Sequence, residues 1–388
     1  MAHLEASLKP VTSVETVPLD QALGRVLAGD ATALRSHPPH ANAAVDGYGF
    51  AHGPQGSFEL LEGRAAAGAP YEGDVPKGAA IRILTGAKPP NGVDTVVLEE
   101  DVRLHAGQVS FEAGLKKGAN IRAAGEDVSA GDVLLGAGRV LTAGDVAMLA
   151  STGVAHLDVH MRLKVAVLST GSEVVEVGSP AKDTQIFDAN RPMLKALLRQ
   201  WQVDVIDLGT VPDDRASVVA DLDRGAQEAD VILTSGGASA GDEDHISASL
   251  KAAGALETWR VAIKPGRPLA MGFWHGTPLF GLPGNPVAAF VCTLVFAKPA
   301  LGLLSGAPWH VPVGSPLEAQ FSKAKKPGRE EYLRARRHGN GVEVFASEGS
   351  GRVSGLSWAD GLVALEHDRG PIKPGDLVRY IPFSEWGL

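Results

Sequence analysis

The sequence predicts a multidomain protein in which a central α/β domain is combined with β-rich modules. Three apolar runs with strand character, Leu163–Leu168, Val203–Leu208 and Val231–Leu233, alternate with segments of helical periodicity such as Arg191–Trp201. Strands and helices that alternate at this length form βαβ units, and such units build a mainly parallel sheet. Length supports several domains, because 388 residues exceed what one ordinary core accommodates.

The segments outside the α/β domain follow a different pattern. Short alternating strands, such as Ala80–Leu84 and Thr95–Glu99, are separated by Gly/Pro turns, which is typical of an all-β module. The last part of the chain is again β-rich, with a hairpin at His338–Gly341. Near the N-terminus, the spacing of apolar residues predicts a helix around residues 19–27. The predicted domains are residues 1–30 with 118–160 (a discontinuous linking and dimerisation domain), 31–117 (an inserted β module), 161–306 (α/β) and 307–388 (C-terminal β).

The bulk composition argues against some classes of protein. A net charge of −9 and a pI of about 5.7 disfavour a nucleic-acid-binding surface, which needs a basic face. The single cysteine, Cys292, excludes an internal disulfide, and its apolar surroundings predict a buried, unreactive thiol. We find no secretory signal and no 18-residue apolar span, so we expect a cytoplasmic protein without a membrane partner.

The chemistry of the α/β domain is concentrated in Thr234–Asp244, TSGGASAGDED. The adjacent glycines Gly236 and Gly237 allow a tight turn that brings backbone N–H groups close to a ligand. Three acids follow, at residues 242–244. Backbone donors suit an anion whereas acids repel one, so the two fit together when a divalent cation lies between phosphate and carboxylate.

Three further segments follow strand-like runs in the same way. Ser169–Glu173 brings hydroxyls, a glycine and an acid, and Ile263–Pro268 supplies Lys264 and Arg267. Gly281–Pro286 is a second glycine-rich turn, which opens an apolar helix. Any one of these segments alone is best interpreted as a surface loop. Together they indicate a ligand site, because α/β sheets bind ligands at the carboxyl ends of their strands.

Other candidates have a structural explanation of equal or greater weight. Asp213 and Asp214 precede a helix, so capping is about as good an explanation as ligand binding. His37 and His40 flank two prolines, which favours an extended turn over a metal site. Ile83–Pro89 is a weak anion-loop signal, and a plain turn is the better explanation of it.

Taken together, these segments resemble the molybdopterin molybdenumtransferase family, whose animal relative is the E domain of gephyrin. The resemblance covers nearly the whole chain and keeps the family's order. The matching motifs are AVDGY, ILTGAKP, GED at 125–127, VLSTGSE, DAN at 188–190, the Asp213–Asp214 pair, TSGGASAGDED, IKPGRP, GLPGNP, PGR at 327–329 and GSG at 349–351.

The resemblance implies a fold and an activity. It implies four domains per subunit, with a molybdopterin-binding type of α/β domain and a C-terminal β-barrel-like domain, in an elongated homodimer. It also implies that molybdate is inserted into adenylylated molybdopterin and that AMP is released, with Mg²⁺ as the divalent cation. The site would lie between the α/β domain of one subunit and the β module of the other.

The family's functional positions transfer to this sequence residue by residue. The implied catalytic residues are Asp46, Thr85, Asp127, Glu173, Asp244, Lys264 and Arg267, of which Glu173 and Asp244 would also hold the metal. The implied substrate-binding residues are Thr170, Gly171, Ser235, Gly236, Gly237, Asp214 (or Asp213), Pro283, Asn285, Arg329 and Ser350. Three positions depart from the family pattern. Arg267 stands where Lys is common, which changes the geometry of an anion contact, and Val45 and Ser172 replace Met and Asp.

Three alternative functions remain open from the sequence. A molybdopterin adenylyltransferase would resemble only residues 161–306, and so would a competence-associated nucleotide hydrolase. A non-catalytic scaffold like gephyrin is the third alternative, although the intact acid and base positions favour an enzyme. Contact with the adenylyltransferase of the same pathway is a further expectation.

Overall fold

The computed structural model describes all of the chain except residues 1, 54–55, 113, 237–244, 253–255 and 267. Two compact units are present. The larger comprises residues 1–15, 24–28 and 159–388, and the smaller comprises residues 16–23 and 29–158. The four-domain division remains a prediction.

The first elements of the chain are short. They are helix α1 (Ala2–Ser7) and strands β1 (Val14–Pro18), β2 (Ala31–Thr32) and β3 (Asn42–Ala43). The helix predicted around residues 19–27 is wrong, because only a single 3₁₀ turn, Leu19–Gln21, forms there. Gly24 has a φ of +74°, a left-handed conformation that interrupts a right-handed helix.

A six-stranded sheet fills most of the smaller unit and confirms the predicted all-β module. Its strand order is β7-β4-β6-β5-β9-β8, and only β5 and β6 pair in parallel. Phe50, Phe58 and Phe111 form its aromatic core, with ring centroids 4.6–5.5 Å apart. The strands are β4 (Gly47–Phe50), β5 (Ser57–Ala65), β6 (Ala79–Ile83), β7 (Thr95–Leu98), β8 (Val102–His105) and β9 (Gln108–Phe111), with a 3₁₀ turn at Glu99–Asp101.

The segments before and after this sheet pair with each other. Strand β10 (Ile121–Arg122) pairs with β3, β11 (Val133–Leu135) with β2, and β12 (His156–His160) with β1. Helix α2 (Ala143–Ser151) begins with a capping box, in which the side chains of Thr142 and Asp145 bond each other's backbone N–H. Of these three strand pairs, only β1 with β12 joins residues 1–30 to residues 118–160, because β2 and β3 lie within the predicted 31–117 module.

The α/β part of the larger unit has a six-stranded sheet of order β16-β13-β17-β21-β20-β18. The first four strands pair in parallel, whereas β20 pairs antiparallel with both β21 and β18, which confirms the mainly parallel sheet. The elements are β13 (Lys164–Thr170), β14 (Val174–Val175), β15 (Ile186–Phe187), α3 (Asn190–Gln200), β16 (Asp204–Val211), α4 (Arg215–Glu228), β17 (Val231–Ser235), α5 (His245–Ala252), β18 (Leu256–Arg260), β19 (Ile263–Lys264), β20 (Pro268–Trp274), β21 (Thr277–Leu282), α6 (Pro286–Cys292) and α7 (Lys298–Leu304).

Helices cover both faces of this sheet. Helices α3 and α6 pack on one face in the largest apolar cluster, and α4 and α5 pack on the other. The chain moves from β13 outward to β16 and then returns across β13 to β17. The strand order therefore reverses between β13 and β17, the position at which open α/β sheets form a ligand crevice.

One helical run is long and apolar enough to cross a membrane, contrary to the sequence expectation of no such span. It comprises α6, a π-helical turn at Thr293–Ala297 and α7. Because 78% of this segment is buried inside the protein, it is explained as a core helix. Cys292 lies within it and is buried, as predicted; burial raises the pKa of its thiol to about 12, which disfavours the reactive thiolate.

The C-terminal part forms a closed five-stranded barrel in the order β23-β24-β22-β26-β25, which returns to β23. Its elements are β22 (Ser315–Ala319), β23 (Glu330–His338), β24 (Gly341–Val344), α8 (Ser354–Trp358), β25 (Gly361–Leu365) and β26 (Leu377–Pro382), followed by a 3₁₀ turn at Phe383–Trp386. The predicted hairpin is confirmed, since β23 and β24 pair up to His338 and Gly341. Strand β19 extends the barrel sheet by pairing in parallel with β23.

Candidate functional site

The turns after three neighbouring strands lie at one edge of the α/β sheet. Ser169 of β13 lies opposite Ser235 of β17, and Ser235 lies opposite Leu282 of β21. The backbone N–H of Gly236 donates to the carbonyl of Leu282 at 3.1 Å. The structure therefore brings together the segments that begin at Thr170, Gly236 and Leu282.

Two glycines at this edge are required by the backbone. Gly171 has a φ of +142°, and a Cβ there would lie 2.9 Å from a carboxylate oxygen of Glu173. Gly236 has a φ of +88°, and a Cβ there would lie 2.8 Å from the carbonyl oxygen of Thr170. Both positions thus favour glycine, and the two turns approach each other closely.

Asn190 is a functional candidate that the site prediction from sequence missed. The side chain is buried, and its Nδ2 donates to Ser235 Oγ and to the carbonyl of Gly284, each at 2.7 Å. Asn190 is the first residue of α3 and does not cap it; Asp188 Oδ1 accepts from the backbone N–H groups of Asn190 and Arg191. Asn190 therefore links the end of β17 to the turn after β21, and its only sequence signal is the DAN motif.

Asp213 and Asp214 have different environments. Asp214 caps α4, since its side chain accepts from Ser217 N–H at 2.9 Å, and that bond lowers the pKa of Asp214. Asp213 instead accepts from the N–H of Ser172 at 3.0 Å, which places its carboxylate beside the turn after β13. Of the two acids, Asp213 is the one directed toward the strand-end edge.

The remaining predicted residues of this edge are placed as follows. Glu173 is exposed, and its carboxylate lies over Gly171. Pro283 is buried, whereas Asn285 is exposed at the N-cap position of α6 and its side chain makes no capping hydrogen bond. The predicted residues Gly237, Asp244 and Arg267 lie outside the described residues. In the part of the chain that the structure describes, no three or more His, Cys, Asp or Glu side chains are clustered as metal ligands.

Lys264 lies where the α/β part of the chain meets the barrel. Its strand β19 pairs with β23, so that Lys264 lies opposite Glu331. Its ammonium lies 2.8 Å from Glu348 and 3.7 Å from Glu331. The hydrogen bond with Glu348 raises the pKa of Lys264 and lowers that of Glu348. Lys264 and Glu348 line a cavity of about 280 Å³ together with residues of β23 and β24.

Backbone contacts position the two barrel segments that carry Arg329 and Ser350. Buried Lys325 donates through Nζ to the carbonyl of Arg329 at 2.7 Å. The carbonyl of Ser350 accepts from the N–H of Val287, in the first turn of α6, at 3.1 Å. Both segments are therefore fixed by bonds that involve the backbone.

In the smaller unit, Asp46 and Thr85 form a pair. Asp46 precedes β4, Thr85 follows β6, and these two strands are antiparallel neighbours. Asp46 Oδ1 accepts from the hydroxyl of Thr85 at 2.6 Å and from its backbone N–H at 2.7 Å. These bonds lower the pKa of the exposed Asp46 carboxyl. Asp127 is also exposed, and its N–H donates to the carbonyl of His37.

Comparison with known proteins shows to which family the chain belongs. Residues 1–153 match the family model "MoeA N-terminal region (domain I and II)". Residues 166–302 match "Probable molybdopterin binding domain", and residues 316–383 match "MoeA C-terminal region (domain IV)". A Haemophilus influenzae molybdopterin molybdenumtransferase is 36% identical over 96% of this chain and 95% of its own length. This chain belongs to the molybdopterin molybdenumtransferase family.

Other members of the family agree in length and fold. Molybdopterin molybdenumtransferase 2 of Mycobacterium tuberculosis is 33% identical over 97% of this chain and 95% of its own length. The crystal structure of a molybdopterin biosynthesis moeA protein from Pyrococcus horikoshii OT3 is 28% identical, with a TM-score of 0.85. That match covers 98% of this chain and 97% of the other, so the multidomain fold class predicted from the sequence is confirmed.

Proposed function

We propose that this chain inserts molybdate into adenylylated molybdopterin, with release of AMP, as a step of molybdenum cofactor biosynthesis. The observation that carries the proposal is the edge formed by the turns after β13, β17 and β21, together with Lys264 on the barrel strand β19. An edge rich in turns suits a polyanionic nucleotide, and a lysine beside it suits an oxyanion. Membership of the molybdopterin molybdenumtransferase family agrees with this assignment.

The pterin nucleotide would bind at the strand-end edge. Thr170, Gly171, Ser235 and Gly236 lie there, and the turns approach each other so closely that a Cβ at either glycine would lie 2.8 Å from a neighbouring protein atom. Asn190 would hold the turn after β21 in place through Gly284. Since Asp214 is engaged as a helix cap, we assign the ligand-facing role to Asp213.

Mg²⁺ fits the donor atoms at this edge. The candidate donors are oxygens: the carboxylates of Glu173 and Asp213, the carbonyl and hydroxyl of Thr170 beside Gly236, and the sequence candidate Asp244. Hard oxygen ligands are what Mg²⁺ prefers. When bound, the ion would supply charge neutralisation at the phosphate oxygens. Glu173 and Asp244 would hold it, as the family resemblance implies.

Cationic side chains would act on the oxyanion. Lys264 and Arg329 can place positive charge over oxygens that gain negative charge as the phosphoanhydride is cleaved and as molybdate is bound. The support is positional, because Lys264 lines the barrel cavity and Lys325 fixes the backbone of Arg329. Ser350 would contribute a hydroxyl from the neighbouring loop.

Asp46 and Thr85 would act in trans in a cytoplasmic homodimer, on the ligand held by the partner subunit. The support is that Asp46 is exposed and that two hydrogen bonds from Thr85 orient its carboxylate. The hydrogen bonds from Thr85 lower the pKa of Asp46, so its carboxylate form is the one they stabilise. An exposed, oriented and charged carboxylate is available for a reacting group.

The test is a reconstitution with adenylylated molybdopterin, molybdate and MgCl₂, in which AMP is measured by chromatography and cofactor by activation of an apo-molybdoenzyme. We expect AMP release that depends on molybdate, and a large loss in Asp213→Asn. Asp221→Asn is the matched control, since Asp221 lies on α4 and forms an ion pair with Arg224 of the same helix. No cofactor from the wild-type chain would overturn the proposed function, and a wild-type rate in Asp213→Asn would remove Asp213 from it.

The other enzymatic alternatives account for less of the molecule. An adenylyltransferase or a nucleotide hydrolase of the related single-domain type would use only residues 161–306. Neither explains the matches at residues 1–153 and 316–383, or the pairing of β19 with the barrel. In the reconstitution, AMP release without any molybdenum cofactor would favour a hydrolase.

A further inference from the structure

Four charged side chains form a compact cluster where β19 meets the barrel. They are Lys264, Lys323, Glu331 and Glu348, and we call them the four-charge cluster. Glu348 bridges the two lysines, with one carboxylate oxygen 2.8 Å from Lys264 Nζ and the other 2.5 Å from Lys323 Nζ. Glu331 lies 2.9 Å from Lys323 and 3.7 Å from Lys264. Each lysine therefore contacts both acids.

The two acids of the cluster differ in how firmly they are held. The side chains of Lys323 and Glu331 are 7% and 9% exposed, so this inner ion pair is buried. The side chains of Lys264 and Glu348 are 45% and 48% exposed. Removing one partner of a buried pair leaves an uncompensated buried charge, whereas an exposed pair contributes little. The side chain of Glu348 can thus move away from the two lysines while the carboxylate of Glu331 still balances the buried charge of Lys323.

The position of Glu348 is one that an anion could take. Lys264, Lys323 and Glu348 line the cavity of about 280 Å³, which exceeds the roughly 30 Å³ that one water occupies in the liquid. The carboxylate offers two oxygens to two ammonium groups, which is the arrangement that two oxygens of a tetrahedral oxyanion would also adopt. Ser350, on the same loop, lies two residues away in sequence.

We propose that Glu348 is a built-in competitor for a tetrahedral dianion at Lys264 and Lys323. The inference rests on the proposed function only in naming molybdate as that dianion. Two lysines and two glutamates give the four-charge cluster a formal charge of zero, so a dianion gains little while Glu348 remains in place. When Glu348 moves aside or is neutralised, both ammonium groups become available to the oxyanion.

The substitution Glu348→Gln tests the competition. It should lower the Kd for molybdate by about threefold to tenfold, as expected when a partly exposed, hydrogen-bonded competing charge is removed. The change should shrink at high salt. Glu343→Gln is the matched control, because Glu343 also pairs with one exposed cation, Arg336, and its removal should leave the Kd unchanged. Molybdate alone is the probe, measured by equilibrium dialysis against the full-length chain with detection of the metal.

A second arm identifies the source of the dianion. The cluster could hold molybdate or the phosphate group of the nucleotide, since both are tetrahedral and anionic. Equilibrium dialysis with AMP in place of molybdate separates them: a gain in Glu348→Gln confined to molybdate supports the proposal as stated, and a gain confined to AMP assigns the cluster to phosphate and overturns it.

The sign of the effect decides between competition and anchoring. If Glu348 instead anchors the loop that carries Ser350, Glu348→Gln and Glu348→Ala will both bind molybdate more weakly than wild type, and the proposal is wrong. An unchanged Kd in both variants, with unaltered melting curves, overturns it as well. If the wild-type chain forms the cofactor, either of these results overturns only the role of Glu348, and the proposed function stands. If the wild-type chain forms no cofactor, the proposed function itself is wrong.

Discussion

Replacing Arg334 by methionine should loosen the loop that carries Ser350. Arg334 is 4% exposed, and its guanidinium donates to three carbonyls of this loop, those of Ser347, Gly349 (3.2 Å) and Arg352 (2.5 Å). It also stacks on Phe345, with 4.9 Å from Cζ to the ring centroid. A single buried side chain therefore closes the whole turn.

The expected loss of stability follows from these contacts. Hydrogen bonds from a charged donor contribute about 1.5–3 kcal/mol each, so three bonds amount to about 4.5–9 kcal/mol before any offset. Two terms reduce that figure. Arg334 has no carboxylate partner among the described residues, and burial lowers its pKa. Burying this charge therefore costs folding free energy, and methionine removes that cost. The loop carbonyls are also near solvent and can bond to water. We expect a net loss of about 2–4 kcal/mol.

Urea unfolding and hydrogen–deuterium exchange of residues 346–352 measure the effect. Arg336→Met is the control, because Arg336 lies on the same strand but is half exposed and pairs with Glu343, so it should cost less than about 1 kcal/mol. Arg334→Met should also exchange faster in the loop and turn over more slowly. Equal stability and equal exchange in the two variants would refute the reasoning.

Three further outcomes are expected. Thr85→Val should raise the pKa of Asp46 part of the way toward its ordinary value, because it removes the hydroxyl hydrogen bond that lowers this pKa most and keeps the backbone N–H bond; a carboxyl NMR titration checks this, and an unchanged pKa contradicts it. Asn190→Ala should raise KM for the nucleotide more than it lowers kcat, measured by steady-state kinetics; a pure stability loss would make Asn190 structural. Asp46→Ala chains mixed with Asp244→Ala chains should regain about a quarter of wild-type activity; inactive verified heterodimers would exclude action in trans.

The parts of the fold that depend on local pattern were predictable from the sequence. The buried strands of the α/β sheet, helix α3 and the hairpin at His338–Gly341 follow from hydrophobic periodicity and turn residues. The helix predicted around residues 19–27 failed because its apolar spacing is helical while Gly24 takes a left-handed conformation. Periodicity does not report the backbone angle of a single glycine.

The contacts that assemble the candidate site were less predictable, because they are distant in sequence. Asn190 reaches Ser235 and Gly284, 45 and 94 residues away. The DAN motif marks Asn190 but does not name these partners. Likewise, the sequence does not distinguish the role of Asp213 from that of Asp214. The hydrogen bond with Ser172 identifies Asp213 as the acid that faces the site, and the hydrogen bond with Ser217 identifies Asp214 as the helix cap.

The pairing of β19 with the barrel changes how the C-terminal part should be understood. Sequence pattern assigned IKPGRP to the α/β domain and treated residues 307–388 as a separate domain. Yet Lys264 lies opposite Glu331, so the barrel sets the position of the lysine at the candidate oxyanion site. The largest apolar cluster also contains residues of both parts, including Phe290 of α6 and Ile381 of β26.

The barrel shares an apolar core and a strand pairing with the α/β part. Removing the barrel would therefore expose the shared core and leave the strand unpaired. Truncation at residue 307 would leave β19 without its partner strand and uncover the apolar side of α6. Loss of activity in such a truncation would therefore not separate a catalytic role of the barrel from a loss of packing. Substitutions that leave the shared core intact, such as Glu348→Gln, separate the two, because they change the charge beside Lys264 while β19 and β23 remain paired.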